Sequence, residues 1–220
     1  MQRRDFFRMS AAGVAAGALP RSGPLKVHIL LFDGAEEQDF VGPLEVFGLA
    51  RVETTLVRHG GPGRIVATHG TRIDVQHGWD PKAADILIVP GGGYGRRDGP
   101  GVHQVVKDKS LLSALVTAHR SGVVLAAVCT GTMVLSAAGL TRGRPCTTHA
   151  RAKADLVVQG GTVIAARVVD DGDLVTAGGI TSGLDLGLWL VTRELGADRA
   201  VTVEAIMEYE SRGTVWRSRA

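Results

Sequence analysis

The chain has 220 residues, 45% hydrophobic, 21% charged and 5% aromatic, with 30 glycines and a formal net charge of +3. That length and apolar content suit one α/β domain with a sizeable core and exclude a disordered or low-complexity chain. Arg3, Arg4 and Arg8, offset locally by Asp5, carry part of the positive excess, and Arg96-Arg97 is the only later basic cluster. The charge therefore argues against a nucleic-acid binder.

Residues 1–24 read as a separate segment. Arg3-Arg4-Asp5-Phe6-Phe7-Arg8 resembles a twin-arginine export motif, and a run of small, mildly apolar residues follows to Leu19. Ala16-Gly17-Ala18 offers a small-residue cleavage site. The expectation is an export signal and a periplasmic or extracellular protein; an Ala/Gly-rich N-terminal helix of a cytoplasmic protein is the alternative. No window is long enough to span a bilayer. Residues 25–220 form a single domain on this reading.

Lys26 to Phe32 reads as a first strand, stopped by the turn pair Asp33-Gly34. The acidic cluster Glu36, Glu37 and Asp39 follows, then a helix from Phe40 to Ala50 with Pro43 in its first turn. Thr54 to Val57 is a short strand, and residues 64–76 alternate as a hairpin around Gly70. Asp85 to Val89 is a buried strand running into Pro90-Gly91-Gly92-Gly93. Ser110 caps a helix ending near Gly122.

Gly122 to Val128 is an apolar strand ending abruptly at Cys129, and Thr130-Gly131 opens a helix through Ala138. Cys129 then occupies a strand-to-helix turn of the nucleophile-elbow type. Helix amides there favour a thiolate, with a pKa below the free value of about 8.5. The alternative is a small buried hydrophobe. Cys129 and Cys146 could also pair, but a chain of this size needs no staple.

Cys146 to His149 reads as a strand and Lys153 to Val158 as a helix. Thr162 to Ala177 forms strands broken by the hairpin signal Asp170-Asp171-Gly172. Helices follow at Leu184 to Leu195 and from Arg199 to Tyr209. Strands alternating with helices argue for an open, mostly parallel sheet covered on both faces. Functional residues gather at the carboxyl ends of such strands. Asp39, the Gly91–Gly93 loop and Cys129 all fall there.

Asp39 can move protons for the thiol, with Glu36, Glu37 and Glu45 as rival acids or a helix cap as its plainer role. Gly92, Gly93 and the Thr130 amide can hold developing negative charge, although Pro90-Gly91-Gly92-Gly93 also suits a plain tight turn. The glycine loop lacks a dinucleotide fingerprint. His149 can orient substrate or base, or be a satisfied structural residue. No histidine pair has metal-ligand spacing, and no cofactor is expected.

The combination of Asp39-Phe40-Val41-Gly42-Pro43, Val89-Pro90-Gly91-Gly92-Gly93, Val128-Cys129-Thr130-Gly131, Thr147-Thr148-His149 and Gly178 to Asp185 resembles the DJ-1/PfpI superfamily, most closely its isonitrile-hydrating branch. The resemblance runs from about Lys26 to Tyr209. It implies a flavodoxin-like three-layer α/β sandwich, a homodimer, a small-molecule substrate and Cys129 as nucleophile assisted by Asp39 and Thr130. A glyoxalase-like or peptidase-like relative and a non-enzymatic binding or redox-sensing module are the competing readings. Ala150 departs from the branch, where an aromatic residue usually follows the histidine. A regulator is disfavoured, because Glu210 to Ala220 is too short for a helix-turn-helix domain.

Overall fold

A computed structural model describes residues 23–218; the export-like segment, apart from its last two residues, lies outside them. In chain order the strands are β1 (Lys26–Leu30), β2 (Glu53–Arg58), β3 (Gly63–Val66), β4 (Arg72–Val75), β5 (His77–Gly78), β6 (Ile86–Val89), β7 (Val124–Ala127), β8 (Pro145–Cys146), β9 (Thr162–Val163), β10 (Val168–Asp170), β11 (Leu174–Ala177) and β12 (Val215–Arg217). The helices are α1 (Glu37–Leu49), α2 (Val102–Val105), α3 (Lys109–Arg120), α4 (Gly131–Ala137), α5 (Lys153–Val158), α6 (Ser182–Leu195) and α7 (Ala197–Met207).

The main sheet has 8 strands in the order β12-β10-β11-β7-β6-β1-β2-β5. Every pairing is parallel except β10 with β11, the hairpin signalled by Asp170-Asp171-Gly172. Side chains alternate across the sheet, which explains the unbroken apolar runs. Ile86, Ile88, Ala126 and Val128 face one core with Phe47 of α1, Leu190 of α6 and Val203 of α7. Leu87, Val89, Leu125 and Ala127 face the other, with Leu115 of α3, Val134 of α4 and Leu156 of α5. The result is the three-layer, mostly parallel sandwich expected. The 64–76 hairpin is β3 paired antiparallel with β4.

Several boundaries differ for physical reasons. Helix α1 begins at Glu37, whose carboxylate in the first turn complements the helix dipole. Pro43 therefore lies inside the helix and not in its first turn. Its ring packs on α6: a Cβ on Gly183 would lie 3.2 Å from Pro43 Cδ. Helix α3 is capped by Asp108, whose Oδ1 accepts from the amides of Ser110 at 2.9 Å and Leu111 at 3.1 Å, so Ser110 is a first-turn residue. Beyond Cys146 the chain leaves strand geometry, with the Thr147 amide donating to Thr176 Oγ1 at 2.8 Å. Strand β12 gave no sequence signal; it pairs with β10, and the Arg217 guanidinium lies 5.3 Å from the Trp189 ring centroid. Among the described residues, no helix is long and apolar enough to cross a membrane.

The β7–α4 junction leaves no room for a side chain at Gly131, where a Cβ would sit 2.0 Å from the Val89 carbonyl oxygen. Backbone must shift to accept one. Gly131→Ala is expected to lower unfolding free energy by about 3 kcal/mol or more, read by urea titration. Gly48→Ala, on α1 with no atom within 4 Å, should be neutral or stabilising by up to about 1 kcal/mol.

Candidate active site

Cys129 sits two residues past the end of β7 and turns the chain sharply. Its φ is +56°, a left-handed value that costs a non-glycine residue about 1–2 kcal/mol. Several hydrogen bonds hold it there. The Cys129 amide donates to the Gly178 carbonyl at 2.8 Å, and Thr148 Oγ1 donates to the Cys129 carbonyl at 2.8 Å. The Gly131 amide closes the turn onto the Val128 carbonyl at 2.9 Å. Strain at one residue is thus offset by an over-determined surround, the usual signature of a functional turn.

Asp39 enters from α1. It is fully buried, at 0% exposure, and Oδ2 accepts from the Gly91 amide at 2.8 Å. Its Oδ1 is buried without an aligned partner. Gly91 marks where the parts converge: a Cβ there would lie 2.5 Å from both the Thr130 amide nitrogen and Oγ1, and 3.0 Å from Asp39 Oδ2. Thr130 Oγ1 accepts from the Gly92 amide at 3.1 Å, so that amide is not an open donor for substrate.

Electrostatics at the pair reverse the thiolate expectation. Burial pushes the Asp39 carboxyl up to about 8, against the Gly91 hydrogen bond and a weaker one from Cys129. Burial, then the neighbouring Asp39 charge, pushes the Cys129 thiol up to about 12. Amides of Ile180 and Thr130 and the Thr130 hydroxyl pull the thiol pKa down, but desolvation of a residue only 6% exposed wins. The resting site holds a thiol beside a carboxyl that retains its proton near neutral pH.

Above the sulfur lies a cleft of about 690 Å³ lined by Gly93, Tyr94, Cys129, Thr130, His149 and Ile180 among others. His149 Nδ1 accepts from the Arg151 amide at 3.1 Å, leaving Nε2 to carry the proton of the neutral ring. Burial, then the Arg151 charge, lowers its pKa and favours that neutral form. The ring packs on Gly179, where a Cβ would come within 2.5 Å of His149 Cδ2. Asp39, Cys129 and Thr130 are therefore together, with Gly93 and His149 along the cleft.

The rival acids separate clearly. Glu45 is exposed on α1. Glu37 Oε1 accepts from the His69 amide at 2.9 Å, and Glu36 Oε1 lies 3.2 Å from His69 Nε2. Glu36, Glu37 and His69 bring ligand-type atoms within 4.8 Å of one another at the cleft edge, a grouping across the β3–β4 hairpin that chain spacing did not suggest. Their mutual hydrogen bonds account for it. The sequence reading also missed Ile180, whose φ of +39° turns its amide toward the sulfur. Its setting between Gly179 and Ser182 was the available signal. Both cysteines are free and buried.

The DJ-1/PfpI family model matches residues 25–193. An isonitrile hydratase from Pseudomonas putida is 32% identical over 188 residues, covering 84% of this chain and 78% of the relative. The Parkinson disease protein 7 homolog of Danio rerio is 28% identical over 186 residues, covering 80% of this chain and 93% of that one. The crystal structure of a ThiJ/PfpI family protein from Pseudomonas syringae superposes with a TM-score of 0.74 at 26% identity, covering 90% of this chain and 84% of that chain. Fold, elbow and sequence agree, and the chain belongs to the DJ-1/PfpI family.

Proposed function

We propose that the protein is a cysteine-dependent hydratase that adds water to an isonitrile, giving an N-substituted formamide. The observation that supports it best is the buried Asp39 carboxyl, raised to about 8, beside the Cys129 sulfur at a strained elbow. An isonitrile carbon must accept both a nucleophile and a proton. A protonated carboxyl next to a thiol supplies both in one place.

In the first step the Cys129 sulfur bonds to the terminal carbon of R–N≡C. Asp39 gives its proton to that same carbon and takes the thiol proton in exchange. The product is a thioimidate, R–N=CH–S, on Cys129. Water then attacks the thioimidate carbon; its proton reaches the nitrogen through Asp39. Collapse of the tetrahedral adduct breaks the C–S bond, expels the sulfur and returns a proton to it. The sum is R–NC plus water giving R–NH–CHO, with enzyme unchanged. Thr130, through its hydroxyl and amide, and the Ile180 amide stabilise the sulfur as it leaves. No step calls on a metal or organic cofactor. The reading extends to a homodimer, as the family resemblance implies.

Incubation with cyclohexyl isocyanide tests the assignment. Wild type is expected to release the formamide, and Cys129→Ala and Asp39→Asn are each expected to lose at least about 10²-fold in kcat/KM. Undiminished turnover by Cys129→Ala, or methylglyoxal consumed faster than isonitrile, would overturn it.

The same acid sets the pH dependence. Since Asp39 must carry a proton, kcat/KM should be flat between about pH 5 and 7 and fall tenfold per unit above about 8. A rate that climbs from pH 8 to 10 would mean that free thiolate, not the pair, is the reactive form.

Stability provides an independent reading of the same group. A carboxyl raised from 3.8 to about 8 on folding contributes stability fully present below pH 3.8 and lost as pH rises to about 8. Asp39→Asn keeps the acceptor for the Gly91 amide and has no charge to bury. Its Tm should exceed wild type by about 3 °C or more at pH 8, with the difference vanishing near pH 4. Equal Tm values at pH 8 would contradict the buried-acid assignment.

A further inference from the structure

The mouth of the cleft carries an excess of positive charge, three arginines against the carboxylates of Glu36 and Asp155. Arg96 and Arg97, from the loop after β6, and Arg151, from the turn after His149, all line it. Among the described residues, none of these guanidinium groups has an ion pair or hydrogen bond with protein, although the Arg97 charge reaches Tyr94 and the Arg151 charge reaches His149. The two acids in the lining are hydrogen-bonded to groups other than these arginines. Asp155 accepts from the Tyr94 hydroxyl, and Glu36 is engaged by His69 Nε2. The arginines flank the opening from separate elements, the glycine loop on one side and the segment leading into α5 on the other.

We propose that Arg96, Arg97 and Arg151 select an isonitrile bearing a carboxylate, so that the charged tail is held at the rim while the neutral isonitrile carbon reaches Cys129. This rests on the hydratase reading for its electrophile and on the guanidinium groups for its charge. A planar carboxylate matches the guanidinium fork in a way that a neutral ester does not. Attraction across a partly solvated cleft also raises the rate of productive encounter and weakens with salt. These are specificity residues: none is needed for bond making at the sulfur.

The discriminating pair is isocyanoacetate against its neutral ethyl ester, the same electrophile with and without charge. At low salt the wild-type kcat/KM is expected to favour the carboxylate at least tenfold, mainly through KM, and the advantage should shrink several-fold at 0.3 M salt. The double variant Arg97→Gln/Arg151→Gln should lower the carboxylate-to-ester ratio at least tenfold. A wild-type ratio of one or less, or a ratio unchanged in the variant, overturns the proposal. Calorimetric binding of N-formylglycine and its ethyl ester, the corresponding products, reads the same preference without turnover. Tighter binding of the anion, lost in the variant, supports the charge assignment even if neither isonitrile reacts. Absence of turnover with both would instead defeat the hydratase reading, and equal product affinities would defeat the rim.

Discussion

The structure depends on a single backbone angle at the end of a buried strand. Cys129 holds a φ of +56°, and most of what surrounds it exists to keep it there. Gly178 takes its amide, Thr148 takes its carbonyl, and Gly131 must lack a side chain because the Val89 carbonyl already fills that space. A β-strand that simply continued would place the sulfur on one face of the sheet, in a core. The left-handed turn takes it away from the α3–α4–α5 core, to which strand alternation would assign it, and leaves it at the edge of the other core, on the cleft where the strands end. Fold and site are therefore coupled through sterics: the tight β6–β7–α4 packing that stabilises the sandwich also aims the thiol.

The second constraint is dryness. A helix start can lower a thiol pKa only when the sulfur is hydrated enough for its charged form to be tolerated. Here the sulfur is nearly covered and faces a carboxyl that has no exposure at all. Two groups that would each ionise in water cannot both do so in contact, and burial outweighs the local hydrogen bonds for each. The outcome is a pair that stores protons rather than charge. For an uncharged substrate whose carbon needs a nucleophile and a proton together, that state is the productive one.

The legible part of the chain was the part governed by local rules. Short apolar runs bounded by glycine located β6 and β7, and Asp170-Asp171-Gly172 located the β10–β11 hairpin, because both signals lie in a few adjacent residues. Cys129 was legible for the same reason: strand, cysteine and helix are contiguous. What escaped depended on distant partners. Asp39 could not be separated from Glu36 and Glu37 by spacing, since only the approach of Gly91 from β6 decides which carboxyl is buried. The Cys129 pKa was read in the wrong direction for a related reason: a turn motif specifies geometry, whereas desolvation is set by everything packed around it. Strand β12 owes its existence to the edge of β10 and carries too few residues for a periodic signal.

Cys146 supplies the internal control for how reactivity is assigned. Its thiol is also fully buried and also raised, up to about 11, by burial. Yet it packs against Gly161 and Leu156 under α5, where a Cβ on Gly161 would come within 2.9 Å of the sulfur, and it does not line the cleft that Cys129 lines. Elevated pKa alone therefore does not mark a nucleophile in this fold. What separates Cys129 is the buried carboxyl of Asp39 beside it and its place in the lining of the cleft. The same division explains the placement of charge around that route. A site dry enough to keep Asp39 protonated would reject an anion placed beside the sulfur. On the proposed mechanism, recognition of charge would fall at the rim, where water still solvates the guanidinium groups, and bond making below, beside the buried carboxyl.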